Sequence, residues 1–177
     1  MQLAPELGIP EVKPAIESVR GRWYQKLSPR TRHSLLQGRM HTLLVQWANG
    51  RGDVGPEWRF YLLPTGEKPS SLVPDVAYVA NGRLYPEAGD ARERPVLAPD
   101  IAVEILSPGD RKRLLETKIA LYFGQGTALV IVVDPATRTV RMREPHTDET
   151  SPVGEVARSY AFPDLTIDVS ALFARIV

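Results

Sequence analysis

Ile101-Ala102-Val103-Glu104-Ile105-Leu106-Ser107-Pro108-Gly109-Asp110-Arg111 is the stretch whose reading decides the fold. Its first six residues form an apolar strand interrupted by one carboxylate. Ser107 to Asp110 carry a turn and a helix start. Over residues 111–123, Leu114, Leu115, Ile119, Leu121 and Tyr122 make an apolar stripe with helical period, and Gly124 and Gly126 close the helix. The five aliphatic residues 129–133 then read as a buried strand, turned at Asp134-Pro135 into a hairpin partner over 139–143.

Moving upstream, residues 29–47 form the first helix. Leu35, Leu36, Met40, Leu43, Leu44 and Trp47 supply its apolar face, Ser28 the N-cap and Pro29 the first turn, and Asn49-Gly50-Arg51-Gly52 the stop. Short strands are expected over 58–63 and 76–79, separated by a polar loop. Residues 1–28 carry Pro5, Pro10 and Pro14 and little periodicity. They read as an arm or irregular lead-in, with room for a helical turn over 15–19. After a loop with Pro145 and Pro152, the tail holds a strand and a short helix over 170–176. There is no internal repeat and no dividing linker, so one mixed α/β domain over 29–177 is expected.

The chain has 177 residues, the size of one domain, with ordinary apolar (43%) and charged (24%) content for a soluble protein. Lys and Arg total 22 against 21 acids, a net charge of +1, which excludes a binder that holds nucleic acid by bulk charge. A local basic face survives that balance. Between residues 18 and 52 stand Arg20, Arg22, Lys26, Arg30, Arg32, Arg39 and Arg51 with no acid, and Arg111-Lys112-Arg113 form a second cluster. These cations either grip phosphates or pair with acids brought from elsewhere in the fold. The absence of cysteine excludes disulfides, thiolate zinc sites and a Cys nucleophile. No apolar run approaches the roughly 18 residues that span a bilayer, and the N-terminus lacks a signal-type apolar core. A cytoplasmic protein without membrane attachment is the expectation.

Three side chains carry the chemistry. Glu104 interrupts an apolar strand, where an unpaired carboxylate costs several kcal/mol. Lys118 lies inside the apolar stripe of the following helix, four residues after Leu114 and four before Tyr122, so it points at the sheet. A Glu and a Lys on consecutive elements can meet, either as a structural ion pair or as part of a site. Asp75 opens the preceding strand after Pro74. Two carboxylates and an ammonium are a kit for holding one hard divalent cation, Mg²⁺ or Mn²⁺, and activating a water, with the Lys orienting the water or stabilising phosphoryl charge.

Pro74-Asp75-Val76-Ala77-Tyr78-Val79, the run from Pro99 to Arg111, Lys118 to Tyr122, and Val133-Asp134-Pro135 resemble the Uma2 family of restriction-endonuclease-like proteins, within the PD-(D/E)XK nuclease superfamily. The likeness runs from about Pro29 to the C-terminus, leaving the N-terminal arm outside. It implies a mixed central sheet flanked by helices. It also implies a Mg²⁺-dependent (or Mn²⁺-dependent) endonuclease acting on DNA, with Asp75 and Glu104 as metal ligands and Asp75, Glu104 and Lys118 as catalytic residues. Related nucleases often pair, which implies a homodimer. The superfamily's strand Lys falls at Leu106 here; in the family pattern it moves to the following helix, where Lys118 fits. Leu106 and the neutral net charge favour an alternative, a catalytically inactive member of the fold that binds nucleic acid or serves as an assembly partner. A hydrolase of small phosphates is a third reading.

Other residues are lesser candidates. Asp100 shares a face with Glu104 but lies about 13 Å away along the strand, so it reads as structural. Glu57 is a candidate to complete the acidic cluster. His33 and His41, with Gln37 between them, are candidates to line a groove, or are solvated. Asp134 reads as a turn cap. Trp47, Trp58 and Tyr122 read as core rather than stacking platforms.

Overall fold

The computed structural model describes residue 8 and residues 13–84, 95–109 and 111–176. Asp110 of the expected turn, and most of the first twelve residues, lie outside the described residues.

A six-stranded sheet, order β10-β9-β8-β7-β6-β3, organises the molecule. Its strands are β3 (Gly52–Pro56), β6 (Val76–Ala80), β7 (Ile101–Ile105), β8 (Leu129–Asp134), β9 (Thr139–Glu144) and β10 (Thr147–Pro152). β7 and β8 run parallel, joined through helix α2 (Lys112–Gly124), and every other pair is antiparallel. The expected mixed α/β domain with a mixed sheet is therefore the observed one.

Strand alternation splits the core in two. Ile101, Val103 and Ile105 face helix α1 (Thr31–Ala48) through Leu36, Met40 and Leu44, with α3 (Val169–Phe173) completing that layer. Ala102 faces the opposite way, with Ala77, Val79, Val130 and Val132, toward Ile119, Leu121 and Tyr122 of α2. Glu104 has the parity of Ala102 and therefore belongs to the α2 face. Asp75 has the parity of Ala77. The antiparallel register pairs Val76 with Val103, so one further step sets Asp75 opposite Glu104.

The lead-in is not irregular. β1 (Ile16–Val19) and β2 (Arg22–Gln25) form a hairpin, where the sequence allows a helical turn over 15–19. Its two-residue turn, Arg20-Gly21, has φ of 50° and 76°, the doubly positive geometry of a type I′ connection that matches strand twist. The hairpin continues through β5 (Ser70–Leu72) to β4 (Phe60–Leu62) as a four-stranded sheet, and Val19, Phe60, Leu62 and Leu72 join the core on the α2 side. β11 (Val156–Arg158) and β12 (Thr166–Asp168) pair separately.

Several expected boundaries shift. α1 begins at Thr31 after Arg30, and Ser28 does not cap it; its end at Asn49, with φ 44°, is the expected one. Leu35 is exposed, because the buried stripe is His33, Leu36, Met40, Leu44 and Ala48. β3 has almost no strand-forming residues; its partner β6 holds it. A Cβ at Gly52 would come within 2.3 Å of the Val79 carbonyl oxygen, so only glycine permits that approach. Among the described residues no helix is long and apolar enough to cross a membrane.

Candidate active site

Asp75 and Glu104 converge with Lys118, and two residues of the N-terminal hairpin and its exit, Glu17 and Lys26, join them. Asp75 is fixed first through its backbone. Its N–H donates to the Val103 carbonyl (2.9 Å), and its own carbonyl accepts from Gln37 Nε2 (2.9 Å) and from the Glu57 N–H (3.2 Å). The carboxylate then bridges elements. Oδ2 accepts from the Ile105 N–H at 2.7 Å and lies 3.3 Å from His33 Nε2, while Oδ1 accepts from Lys26 Nζ at 2.7 Å.

Glu104 is held from α2. Lys118 Nζ donates to Oε2 at 2.7 Å and the Tyr122 hydroxyl donates to Oε1 at 2.9 Å; the two donors lie one helical turn apart. Lys118 also meets Glu17 Oε1 at 2.9 Å, and that same oxygen accepts from the Val73 N–H at 2.8 Å. Glu17, Asp75, Glu104 and Lys118 are all buried. They line, with Lys26, His33, Ile105 and Leu106, a cavity of about 110 Å³.

Burial and the neighbouring charges together set the protonation of these groups. Burial pushes the Glu104 carboxyl up to about 7, against the neighbouring Lys118 ammonium and with help from the charges of Glu17 and Asp75. Burial also disfavours the Asp75 anion, yet Lys26 and the His33 contact outweigh it and hold this carboxyl far below the usual range. Lys26 and Lys118 both sit above the ordinary lysine value: burial opposes the charge, but Asp75 keeps Lys26 protonated, and Glu104 and Glu17 do the same for Lys118. Tyr122 is raised well above normal by burial and by Glu104, so it stays a neutral donor.

The donor chemistry fits a hard divalent cation. A carboxylate oxygen has about two acceptor directions. Asp75 Oδ2 spends both, whereas Asp75 Oδ1 and each Glu104 oxygen have one hydrogen-bond donor apiece, and both residues border the cavity. No cluster of three His, Cys, Asp or Glu side chains with metal-binding geometry occurs among the described residues.

The lesser candidates separate. Glu57 is exposed and contributes only its backbone N–H, at a φ of 49°; the acid that completes the cluster is Glu17. His33 is buried against Asp75 rather than on a polar face, with Nδ1 unpartnered, and His41 lies in a different depression beside Glu57. Asp100 is structural: it accepts from the Ala80 N–H (2.8 Å) and pairs with Arg83 (2.6 Å). Asp134 caps its turn through the N–H groups of Ala136 and Thr137. Trp47, Trp58 and Tyr122 pack in the core, although the Tyr122 hydroxyl also serves the site. Sequence reasoning missed Glu17, Lys26 and the His33 contact. The readable signal was Arg20-Gly21 between two short β-prone runs, a hairpin mark.

The basic stretch divides. Arg20 pairs with Glu67 and Arg51 with Asp164, both at 2.7 Å, and Arg39 donates to the Leu172 carbonyl. Arg22, Arg30, Arg32, Arg111, Lys112 and Arg113 have no side-chain partner among the described residues. Arg22, Arg111 and Arg113 line a depression of about 480 Å³ that shares Tyr24, Arg111 and Leu114 with the central cavity. Arg30 and Arg32 line another, of about 500 Å³, sharing His33, Leu106 and Ser107 with it.

Comparison with known proteins adds three findings. The family model described as "Uma2: Putative restriction endonuclease" matches residues 6–170, so the likeness extends over the hairpin that the sequence reading left outside it. A solved structure described as a putative nuclease belonging to DUF820 from Anabaena variabilis ATCC 29413 superposes with a TM-score of 0.82 at 26% identity, covering 95% of this chain and 94% of that one. No curated protein matches.

Proposed function

This chain belongs to the Uma2 family of restriction-endonuclease-like proteins, and from that premise we propose that it is a metal-dependent endonuclease hydrolysing phosphodiester bonds of DNA. The observation that carries the reading is the meeting of Asp75, just before β6, with Glu104 on β7 at one small cavity, with Lys118 2.7 Å from Glu104.

Asp75 and Glu104 would hold Mg²⁺ or Mn²⁺. Bound there, the cation supplies Lewis-acid stabilisation of phosphoryl charge and a more acidic water. Gln37, the Val103 carbonyl and the Ile105 N–H orient Asp75. Lys118 and Tyr122 orient Glu104, and the lysines lining the cavity bring positive charge to a site where phosphoryl charge develops. The unpaired arginines on either side of the cavity suit a phosphate backbone crossing it, with binding that weakens steeply with salt. A cytoplasmic homodimer, one site per strand, suits a double-strand cut; sedimentation in analytical ultracentrifugation tests that assembly.

The test is cleavage of a labelled DNA with Mg²⁺ or Mn²⁺, with EDTA, and by Asp75→Asn and Glu104→Gln. The expected result is metal-dependent cleavage that each substitution reduces at least about 100-fold while the fold persists by circular dichroism. Cleavage that survives EDTA or Glu104→Gln sinks the reading. Retained DNA binding without Mn²⁺ binding or cleavage would instead support an inactive nucleic-acid-binding member of the fold.

A further inference from the structure

We propose that Lys26, carried at the exit of the N-terminal hairpin, is the amine that meets the reacting phosphate, whereas Lys118 is the positioning residue that holds Glu104; this inference rests on the nuclease reading above. Two lysines reach the carboxylates, and their surroundings differ. Lys118 lies between two carboxylates, Glu104 at 2.7 Å and Glu17 at 2.9 Å, with its side chain 7% exposed. Its charge is matched twice over, and turning it toward a substrate would leave two buried acids uncompensated, a costly state. Lys26 has one carboxylate, Asp75 Oδ1 at 2.7 Å, and one neutral partner, the Val73 carbonyl at 2.8 Å. Its side chain is 16% exposed at the rim of the same cavity. An ammonium has three donors, and no described residue takes Lys26's third.

The charges point the same way. Glu17, Asp75 and Glu104 are opposed by Lys26 and Lys118, one negative charge in excess when all are ionised. Among the described residues Asp75 is Lys26's only ion-pair partner, and it is also a proposed ligand of the cation. With a divalent cation shared between Asp75 and Glu104, Lys26 becomes the less compensated of the two lysines, while Lys118 still has Glu17. Of the two lysines, Lys26 is therefore the one open to an anion entering the cavity, beside the unpaired Arg111. Leu106 also lines this cavity and offers no charge, so the strand itself contributes no such group. Lys26 also belongs to the acid-free segment whose Arg22, Arg30 and Arg32 remain unpaired, and the depressions those arginines line share residues with the cavity that Lys26 borders.

Lys26→Met, Lys26→Arg and Lys118→Met test this with four readouts: thermal unfolding, Mn²⁺ titration calorimetry, affinity for a cleavage-resistant phosphorothioate oligodeoxynucleotide in Mn²⁺, and kcat with KM on DNA. Lys26→Met is expected to lower the melting temperature less than Lys118→Met, since one buried carboxylate rather than two loses its cation, and to bind Mn²⁺ as tightly as the unaltered protein or tighter, since a competitor for Asp75 is gone. Its kcat should fall at least about 100-fold and its oligodeoxynucleotide affinity about 10-fold, with Lys26→Arg recovering part of both. Lys118→Met should lower the melting temperature more, because Glu104 and Glu17 both lose their cation. A Lys26→Met protein with kcat and DNA affinity within about threefold of the original overturns the proposal. So does one that loses Mn²⁺ binding, because Lys26 would then serve only to position Asp75. If the unaltered protein binds DNA but never cleaves it, the nuclease reading fails, and the affinity arm alone decides Lys26. If it binds no DNA, both fall.

Discussion

Glu104 and Glu144 are buried glutamates on two strands of one sheet, β7 and β9, and they are held in opposite ways. Glu144 is clasped by neutral donors: Oε1 accepts from Ser159 Oγ (2.7 Å) and the N–H groups of Tyr160 (2.9 Å) and Ala161 (3.0 Å), and Oε2 from Thr147 Oγ1 (3.0 Å). Burial opposes its charge, but these donors win and hold its carboxyl below the usual range. It borders none of the cavities above. Glu104 has a charged donor and a phenol, borders a cavity, and is pushed up by burial to about 7. A carboxylate satisfied by fixed neutral donors is a structural pin, here fastening the 159–161 turn to the end of β9. A carboxylate that borders a cavity and keeps acceptor capacity is equipped to take a ligand.

The largest expected effect sets pin against ligand directly. Glu104→Gln should reduce metal-dependent cleavage at least about 100-fold with the fold retained, whereas Glu144→Gln should leave the specific activity of the folded fraction within about threefold. Equal losses from the two substitutions would mean that Glu104 is merely another pin. The measurement is cleavage per folded molecule, with the folded fraction set by circular dichroism.

Stability reverses the ranking of partners. Lys118→Met leaves Glu104 and Glu17 facing each other without a cation and should cost about 3–5 kcal/mol in urea unfolding. Glu144→Gln turns one acceptor into a donor facing donors and should cost about 1–3 kcal/mol.

pH separates the two glutamates by sign, in metal-free protein with EDTA. Glu104's folded value, about 7, lies above the ordinary 4.5, so the native state binds the extra proton between them and stability falls as pH rises through that window. Glu144's folded value lies below 4.5, so its contribution is full above the ordinary value and is lost as pH falls through the folded one. Glu104→Gln should flatten the decline between about pH 4.5 and 7, and Glu144→Gln the decline below it. Urea midpoints from about pH 3 to 8 check both.

This contrast was half legible in the sequence. Glu104 and Lys118 stood out because each breaks a local apolar pattern, one with period two and one with helical period, and Asp75 because Pro74-Asp75 opens a strand. Those signals lie within single elements. Glu17 and Lys26 break no local pattern: β1 is buried at Glu17, Ser18 and Val19 alike, because both of its faces are covered by chain remote in sequence. His33 reads as a polar-face residue until α1 is seated on Asp75. Glu144, next to Pro145, reads as a loop residue, since its donors come from Thr147 and residues 159–161. The two long helices and the strands at β7, β8 and β9 were readable because period and length set them, whereas the mixed sheet came from the family resemblance. β3 and β10 were not, because pairing with β6 and β9 makes strands of segments with weak intrinsic preference.

The smallest effects come from removing a single hydroxyl beside each glutamate. Thr147→Val deletes a donor to Glu144 and should cost about 0.5–1.5 kcal/mol, with no change in metal affinity. Tyr122→Phe deletes a donor to Glu104 of the same kind, and packing changes little because Phe keeps the ring within the core. Its cost in stability should be comparable, but its consequence should differ in kind. Losing the hydroxyl leaves Glu104 oriented by Lys118 alone, and Mn²⁺ affinity should change severalfold in calorimetry. A Tyr122→Phe protein with unaltered Mn²⁺ affinity would mean that Lys118 suffices to position Glu104, and that the phenol belongs to the core alone.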